Sequence, residues 1–346
     1  LAMTQSHVVG GALDACIGVP DLVAAIGYWE LFGYRVGDIG GLDAAAAKRL
    51  YGVDSAARMV RMWHQDTDHG LIRLMQWDQS TGSGLGLTPF KTVGNRWTAA
   101  EVLKISRIIA HAKYRRDSGA PITIFHPDAV PAPGTSRDSF RRVISAAIEM
   151  AVLQPYYRQV LFERADFPSP LYGKVNPGSI LQGSQFTHCC VVTRGVSRDA
   201  FDFYDQVLGM VKSGDFDIPY NEIGSSGKDI FQLGEGEGFH MHRFDDPRGG
   251  EGLGKRSGRV IFFSFRDSVE MPDLRAASRP GALGLCLYSW RVHHIEKVRE
   301  IVLKAGATQV SEVLPNEFGE RAITLVAPDS TPWTLIDAVD RVAVAG

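Results

Sequence analysis

The chain has 346 residues, 45% of them apolar and 22% charged, which excludes a disordered chain and leaves room for about two domains. Its 37 Lys and Arg face 39 Asp and Glu, so there is no net field to attract nucleic acid or an acidic membrane. No apolar run reaches the roughly 18 residues of a membrane span, and the start LAMTQSHVVGG has no basic stretch followed by an apolar one. The expectation is a cytoplasmic protein that meets a small-molecule substrate or ligand.

In chain order, LDACIGVPDLVAAIGYWELFGYRVGDIGG begins at Leu13 and reads as strand, helix and strand. The helix carries the aromatic pair Tyr28-Trp29 and stops at Gly33, as a helix C-terminus favours. GLIRLMQWDQ then reads as a closing strand. The segment RWTAAEVLKISRIIAHAKYRRDSG predicts a long helix, with Thr98 and Glu101 at capping-box spacing. APITIF follows as a strand. An inserted helix is expected over roughly Ser136 to Gln154, before QVLFERADF returns to strand.

The stretch from Asp166 to Gln185 holds three prolines and three glycines and reads as a connection. Beyond it, THCCVVTRGVSRDAFDFYDQVLGMVKSGD, from Thr187, repeats the first pattern, with Phe203-Tyr204 and Gly209 in the matching places. GFHMHRFDDP matches the closing strand. LGLCLYSWRVHHIEKVREIVLKAGATQ, from Leu283, is a further copy, and ITLVAPDSTPWTLIDA ends it. The unit is βαβββ, four times over. The predicted division is residues 1–167, a connection at 168–185, and residues 186–346, with two units in each half and the second unit degenerate.

Cys16, Cys189, Cys190 and Cys286 make no C-x-x-C pair, so a zinc knuckle or redox dithiol is not indicated. The glycine-rich STGSGLGLTPF and GEGEGF lack the strand and helix context of a nucleotide-binding loop and read as loops at a pocket mouth. DDPRGGEGLGKRSGR has the composition of a lid.

The segments HCCVV…FDFYDQVLGM, HMHRFDDP and VAPDSTPWTL resemble the vicinal oxygen chelate superfamily, which includes glyoxalase I, bleomycin-resistance proteins and extradiol dioxygenases. The resemblance covers most of the chain. It implies an α+β fold in which four βαβββ units pair into two half-barrel domains, and it leaves room for a homodimer. It also implies a site built from the first strand and the final strand of each unit. Those positions fall on Asp14 and Arg73 in the first unit, Glu163 in the second, His188 and His240 in the third, and Thr334 in the fourth. Thr334 stands where the extradiol pattern has a glutamate, a departure from ring-cleaving chemistry.

His240 and His242 alternate along one strand and share a face. With His188 they make an expected metal set of His188, His240 and His242 for a divalent Fe, Mn, Zn or Ni ion. His188 and His240 are equally open to acid–base work, or to a place in the core. Asp14, Arg73 and Glu163 are the expected substrate-pocket residues, with Arg73 suited to a carboxylate or phosphate; a buried salt bridge is the other reading. The functional expectation is a lyase, isomerase or dioxygenase acting on a small carbonyl-containing or aromatic metabolite, its enolate stabilised by a metal or by protein donors. The alternative is a metal-free protein that sequesters an aromatic ligand or drug.

Overall fold

The structure, a computed structural model, describes residues 6–131 and 145–338. The first unit runs β1 (Asp14–Gly18), α1 (Leu22–Glu30), β2 (Tyr34–Leu42), α2 (Ala44–Tyr51), β3 (Ala57–His64) and β4 (Leu71–Trp77). The second is β5 (Arg96–Val102), α3 (Ile105–Asp117), β6 (Thr123–Pro131), β7 (Ala146–Leu153) and β8 (Arg158–Ala165). The third is β9 (Gly183–Arg194), two short helical turns at Arg198–Phe201 and Phe203–Val207, β10 (Val211–Ile218), α4 (Ser225–Phe231), β11 (Phe239–Asp245) and β12 (Arg259–Phe265). The fourth is β13 (Gly284–Val292), α5 (Ile295–Lys304), β14 (Leu314–Pro315), β15 (Arg321–Val326) and β16 (Pro332–Asp337).

Local chemistry sets these ends. The Asp21 carboxylate caps α1 by accepting from the Val23 and Ala24 amides at 2.8 and 3.2 Å. Gly33 and Gly209 both have positive φ, 97° and 83°, as their predicted helix-stop role requires.

The second unit is more regular than its sequence suggests. Arg96–Val102 is a strand, and the helix starts only at Ile105. Thr98 and Glu101 are therefore strand residues; Thr98 pairs with Gln159 across β5 and β8. The expected helix over Ser136 to Gln154 is also corrected. Its first part lies outside the described residues, and Ala146–Leu153 is β7, paired on both sides by β6 and β8. Alanine, glutamate and methionine suit a helix in isolation, but two flanking strands offer these residues a complete ladder.

Four βαβββ units form two eight-stranded curled sheets. Within each unit the first and last strands pair in parallel: β1 with β4, β5 with β8, β9 with β12 and β13 with β16. Between units the first strands pair antiparallel, β1 with β13 and β5 with β9. The first sheet thus joins units one and four, and the second joins units two and three. The sheets do not divide at the 168–185 connection, which links two strands of the same sheet. The crossings between sheets are residues 78–95 and 266–283. They run together, with Val93 N donating to Pro272 O and Leu274 N to Val93 O, at 2.8 and 2.9 Å. STGSGLGLTPF, expected at a pocket mouth, belongs to the first crossing.

The two sheets share one apolar cluster, to which α1, α3 and α5 contribute, and each has a second cluster on its other face, joined by α2 in the first sheet and α4 in the second. Tyr204 lies in the shared cluster, its ring 4.7 Å from Phe262 of the second sheet and 5.7 Å from Trp333 of the first. Trp290 and Trp333 stack at 4.1 Å, and both are fully buried. The Tyr288 hydroxyl of the first sheet lies 2.9 Å from both the Trp97 and the Cys190 carbonyl oxygens of the second. Tyr288→Phe should lower stability by about 1–2 kcal/mol, because two buried carbonyls lose a donor. Urea unfolding of the variant beside the wild type checks this; an unchanged midpoint would mean the bond does not hold the sheets.

Candidate functional site

The concave face of the first sheet is filled by a charged network. Asp14 Oδ1 and Oδ2 accept from Arg73 Nη2 and Nε at 2.8 and 3.0 Å, and Oδ2 also accepts from Arg61 Nε at 2.9 Å. The Ser289 hydroxyl donates to the same carboxylate. Arg73 continues to the Tyr51 hydroxyl at 2.9 Å and to Glu317 at 3.1 Å. Asp14 and Arg73 are both 0% exposed. Burial drives the Asp14 carboxyl upward, but Arg73 and Arg61 outweigh it and hold the group far below the usual carboxylate range. Asp14 and Arg73 hold each other rather than a substrate. Glu163 is not with them: it lies in the other sheet, where Oε2 accepts from the Ile105 amide at 2.8 Å and caps α3. The expected pocket of Asp14, Arg73 and Glu163 is therefore not assembled. Arg61, which completes the network, went unrecognised, because a buried arginine leaves no mark in a sequence pattern.

The third-unit histidines also separate. His188 on β9 is in register with Arg259 of β12, while His240 and His242 on β11 are in register with Ser264 and Phe262. Following the alternation across β12, His188, Arg259, Ile261 and Arg243 share the concave face. His240 and His242 point out of the opposite face, where the His242 ring stacks on Phe201 at 3.8 Å. The expected set of His188, His240 and His242 does not converge. The assignment misses because the closing strand of the third unit is β12, and β11 is the strand before it.

Around His188 the concave face of the second sheet carries polar and charged side chains that are largely buried. The Tyr172 and Thr187 hydroxyls each lie 3.0 Å from His188 Nδ1. The Arg259 guanidinium is held by Asp245 through two bonds of 2.7 and 2.8 Å. Arg164 pairs with Glu101. Burial and then the charges of Arg259, Lys255, Arg164 and Arg243 push the His188 imidazole down to about 3. Arg164 and Arg259 pair with Glu101 and Asp245, while Arg243 and Lys255 have no carboxylate within salt-bridge range among the described residues. Glu149 of β7, in register with Phe162, looks onto the same face, and burial followed by Asp128 raises its carboxyl. Aromatic residues line the adjoining wall: the Phe162 ring lies 6.3 Å from His188, and Trp97 stacks on Phe263 at 5.2 Å. Arg164, Tyr172 and Arg259 were not singled out in the sequence, since Tyr172 lies in the connection and Arg259 ends the segment read as a lid.

A divalent ion at the positions expected from the resemblance is disfavoured by these residues. In the first sheet a guanidinium fills the place beside Asp14. In the second, an ion beside His188 would add charge to an existing positive excess. A His/Asp group able to hold a metal lies instead on the other face, where Asp215, His240 and His242 each offer one ligand atom within 4.8 Å of the others.

No family model and no curated relative matches the sequence. Solved structures match the fold. Glyoxalase I from Zea mays superposes with a TM-score of 0.54 at 14% identity, covering 96% of this chain and 93% of that one. A protein from Bacillus subtilis subsp. subtilis strain 168, named as a dioxygenase, gives 0.53 at 11% identity, covering 96% and 86%.

Two measurements check this site. Asp14→Asn should destabilise the fold by about 3–5 kcal/mol, the cost of leaving buried guanidinium groups uncompensated; a loss near zero in chemical denaturation would restore a ligand-binding role. His188 should remain neutral across pH 5–8, its imidazole NMR signals unshifted. Its folded value lies below the unfolded 6.5, so below that pH the unfolded chain takes up a proton the native state refuses. Stability should therefore fall as pH drops from 6.5 toward 3, and less steeply in His188→Gln. The fold of this chain is that of glyoxalase I.

Proposed function

We propose that the chain is a vicinal oxygen chelate-type enzyme of the lyase or isomerase kind, with its reaction centre on the concave face of the second sheet. The substrate is a small aromatic or carbonyl metabolite bearing an anionic oxygen. The observation that carries this reading is His188 set among Arg164, Arg243, Lys255 and Arg259 beside an aromatic wall.

Each group has a distinct part. Arg259, fixed by Asp245, presents a rigid guanidinium edge to a carboxylate or enolate oxygen. The excess positive charge stabilises the negative charge that develops when a proton leaves the carbon beside a carbonyl. His188 is a weak base while the cations around it are uncompensated; a bound anionic substrate offsets their charge, raises the proton affinity of the imidazole and lets it exchange that proton. Phe162 and the aromatic residues beyond it cover the apolar part of the substrate. The ring-opening dioxygenase reading loses support, because His188 is hemmed in by cations. Sequestration alone is not favoured either, since a passive aromatic binder has no need of a buried neutral imidazole among four cations.

Oxalate, a planar dianion that mimics an enediolate, is the probe. It should bind the wild type with one-to-one stoichiometry by calorimetry, and at least about tenfold more weakly in Arg259→Gln, a loss of about 1.4 kcal/mol. Solvent deuterium should enter α-keto acids or α-hydroxy ketones at the α-carbon, read by NMR, and His188→Gln should slow that exchange about 100-fold or more. Oxalate binding without exchange in any compound would return the protein to the class of binders. Absence of both would sink the site.

A further inference from the structure

On the other face of the second sheet, antiparallel β10 and β11 place Asp215 opposite His242 and Asp217 opposite His240. Asp215, His240 and His242 each offer a ligand atom within 4.8 Å of the other two. His242 is 2% exposed, and its Nδ1 is buried with no hydrogen-bond partner among the described residues. That nitrogen lies 3.6 Å from Asp215 Oδ1, beyond hydrogen-bond range. It is close to the separation of about 3.4 Å expected of two donors that share a tetrahedral ion at about 2.1 Å. Phe201 stacks on the ring and fixes its plane. A buried, oriented and unpartnered imidazole nitrogen is costly unless something binds it.

His240 supplies the second nitrogen. Its Nε2 lies 2.6 Å from Asp215 Oδ1, and its Nδ1 lies 3.0 Å from Asp217 Oδ1. A carboxylate on one ring nitrogen of a histidine orients the other toward a metal. His240 and His242 line a surface cleft of about 720 Å³ that also includes Asp217, Glu237 and Arg266, so an ion has a path in and an open side for water or a small ligand. Two imidazoles and one carboxylate are the donor set of Zn, Co, Ni or Fe(II), and not of Ca or Mg.

We propose that Asp215, His240 and His242 bind one divalent first-row transition-metal ion, with Asp217 as the positioning residue for His240. β10 is the edge strand of the second sheet, so the ion cross-links that edge to β11. The site lies on the opposite face from His188 and stands independently of the function proposed there.

Chelator-treated full-length protein is titrated with Co(II), read by its visible d–d absorption, and with Zn(II), read by calorimetry and elemental analysis. One equivalent is expected in the wild type and in His188→Gln. His242→Ala should lose uptake. So should Asp215→Asn, which alters a partly exposed side chain and leaves the core intact. Asp217→Asn should bind 10–100-fold more weakly. No uptake by the wild type, or uptake unchanged in Asp215→Asn, overturns the proposal. Loss confined to His188→Gln overturns it as well and places the ion on the concave face.

Discussion

A single apolar layer joins the two sheets and fixes which side chains remain for chemistry. Tyr204, Phe262, Trp290 and Trp333 pack within it, and the Tyr288 hydroxyl reaches across to carbonyls of the partner sheet. Burying these rings consumes one face of each central strand. Alternation then commits every second residue to the concave side, with no freedom to choose. His188 and Arg259 are thrown together by this rule, and His240 is thrown to the other side.

The two concave faces then follow different physical courses. In the first sheet, Asp14, Arg61, Arg73 and Glu317 neutralise one another in full burial. Such a network contributes little net stability over an apolar core, but removing one partner is costly. In the second sheet the charges do not balance. Arg243 and Lys255 lack a carboxylate partner among the described residues, and the Arg164, Glu101 and Asp245 side chains keep 9%, 16% and 18% exposure rather than being sealed. An unbalanced, partly solvated cluster is where an anionic ligand gains most from binding. Two sheets of one architecture thus serve as a closed support and as a candidate reaction face.

The shared fold does not carry chemistry with it. Glyoxalase I from Zea mays and this chain superpose over most of their lengths at 14% identity, a likeness that fixes strand order and leaves side-chain chemistry open. Arg73 beside Asp14 and Arg259 beside His188 put a guanidinium next to each of these two side chains.

The sequence alone determined the βαβββ unit, its four copies, and the shared face of His240 and His242. Those are local properties: helix-stopping glycines, apolar alternation and repeat spacing act within a few residues. Cross-strand facts were not legible. Nothing in ALDACIG says that β1 pairs with β13 of the last unit, nor does HMHRFD say that its histidines look away from His188. The alternation of side chains has a fixed period but an arbitrary phase, and the phase is set only when strands come into register. AAEVLK and AAIEMAVL read as helix because local propensity is a weak prior; β5 is held by strands far away in sequence, β8 and β9, and β7 by its sequence neighbours β6 and β8. The tertiary structure alone decided which units share a sheet and which charges meet. Both depend on contacts between residues far apart in the chain, whose energy no single segment contains.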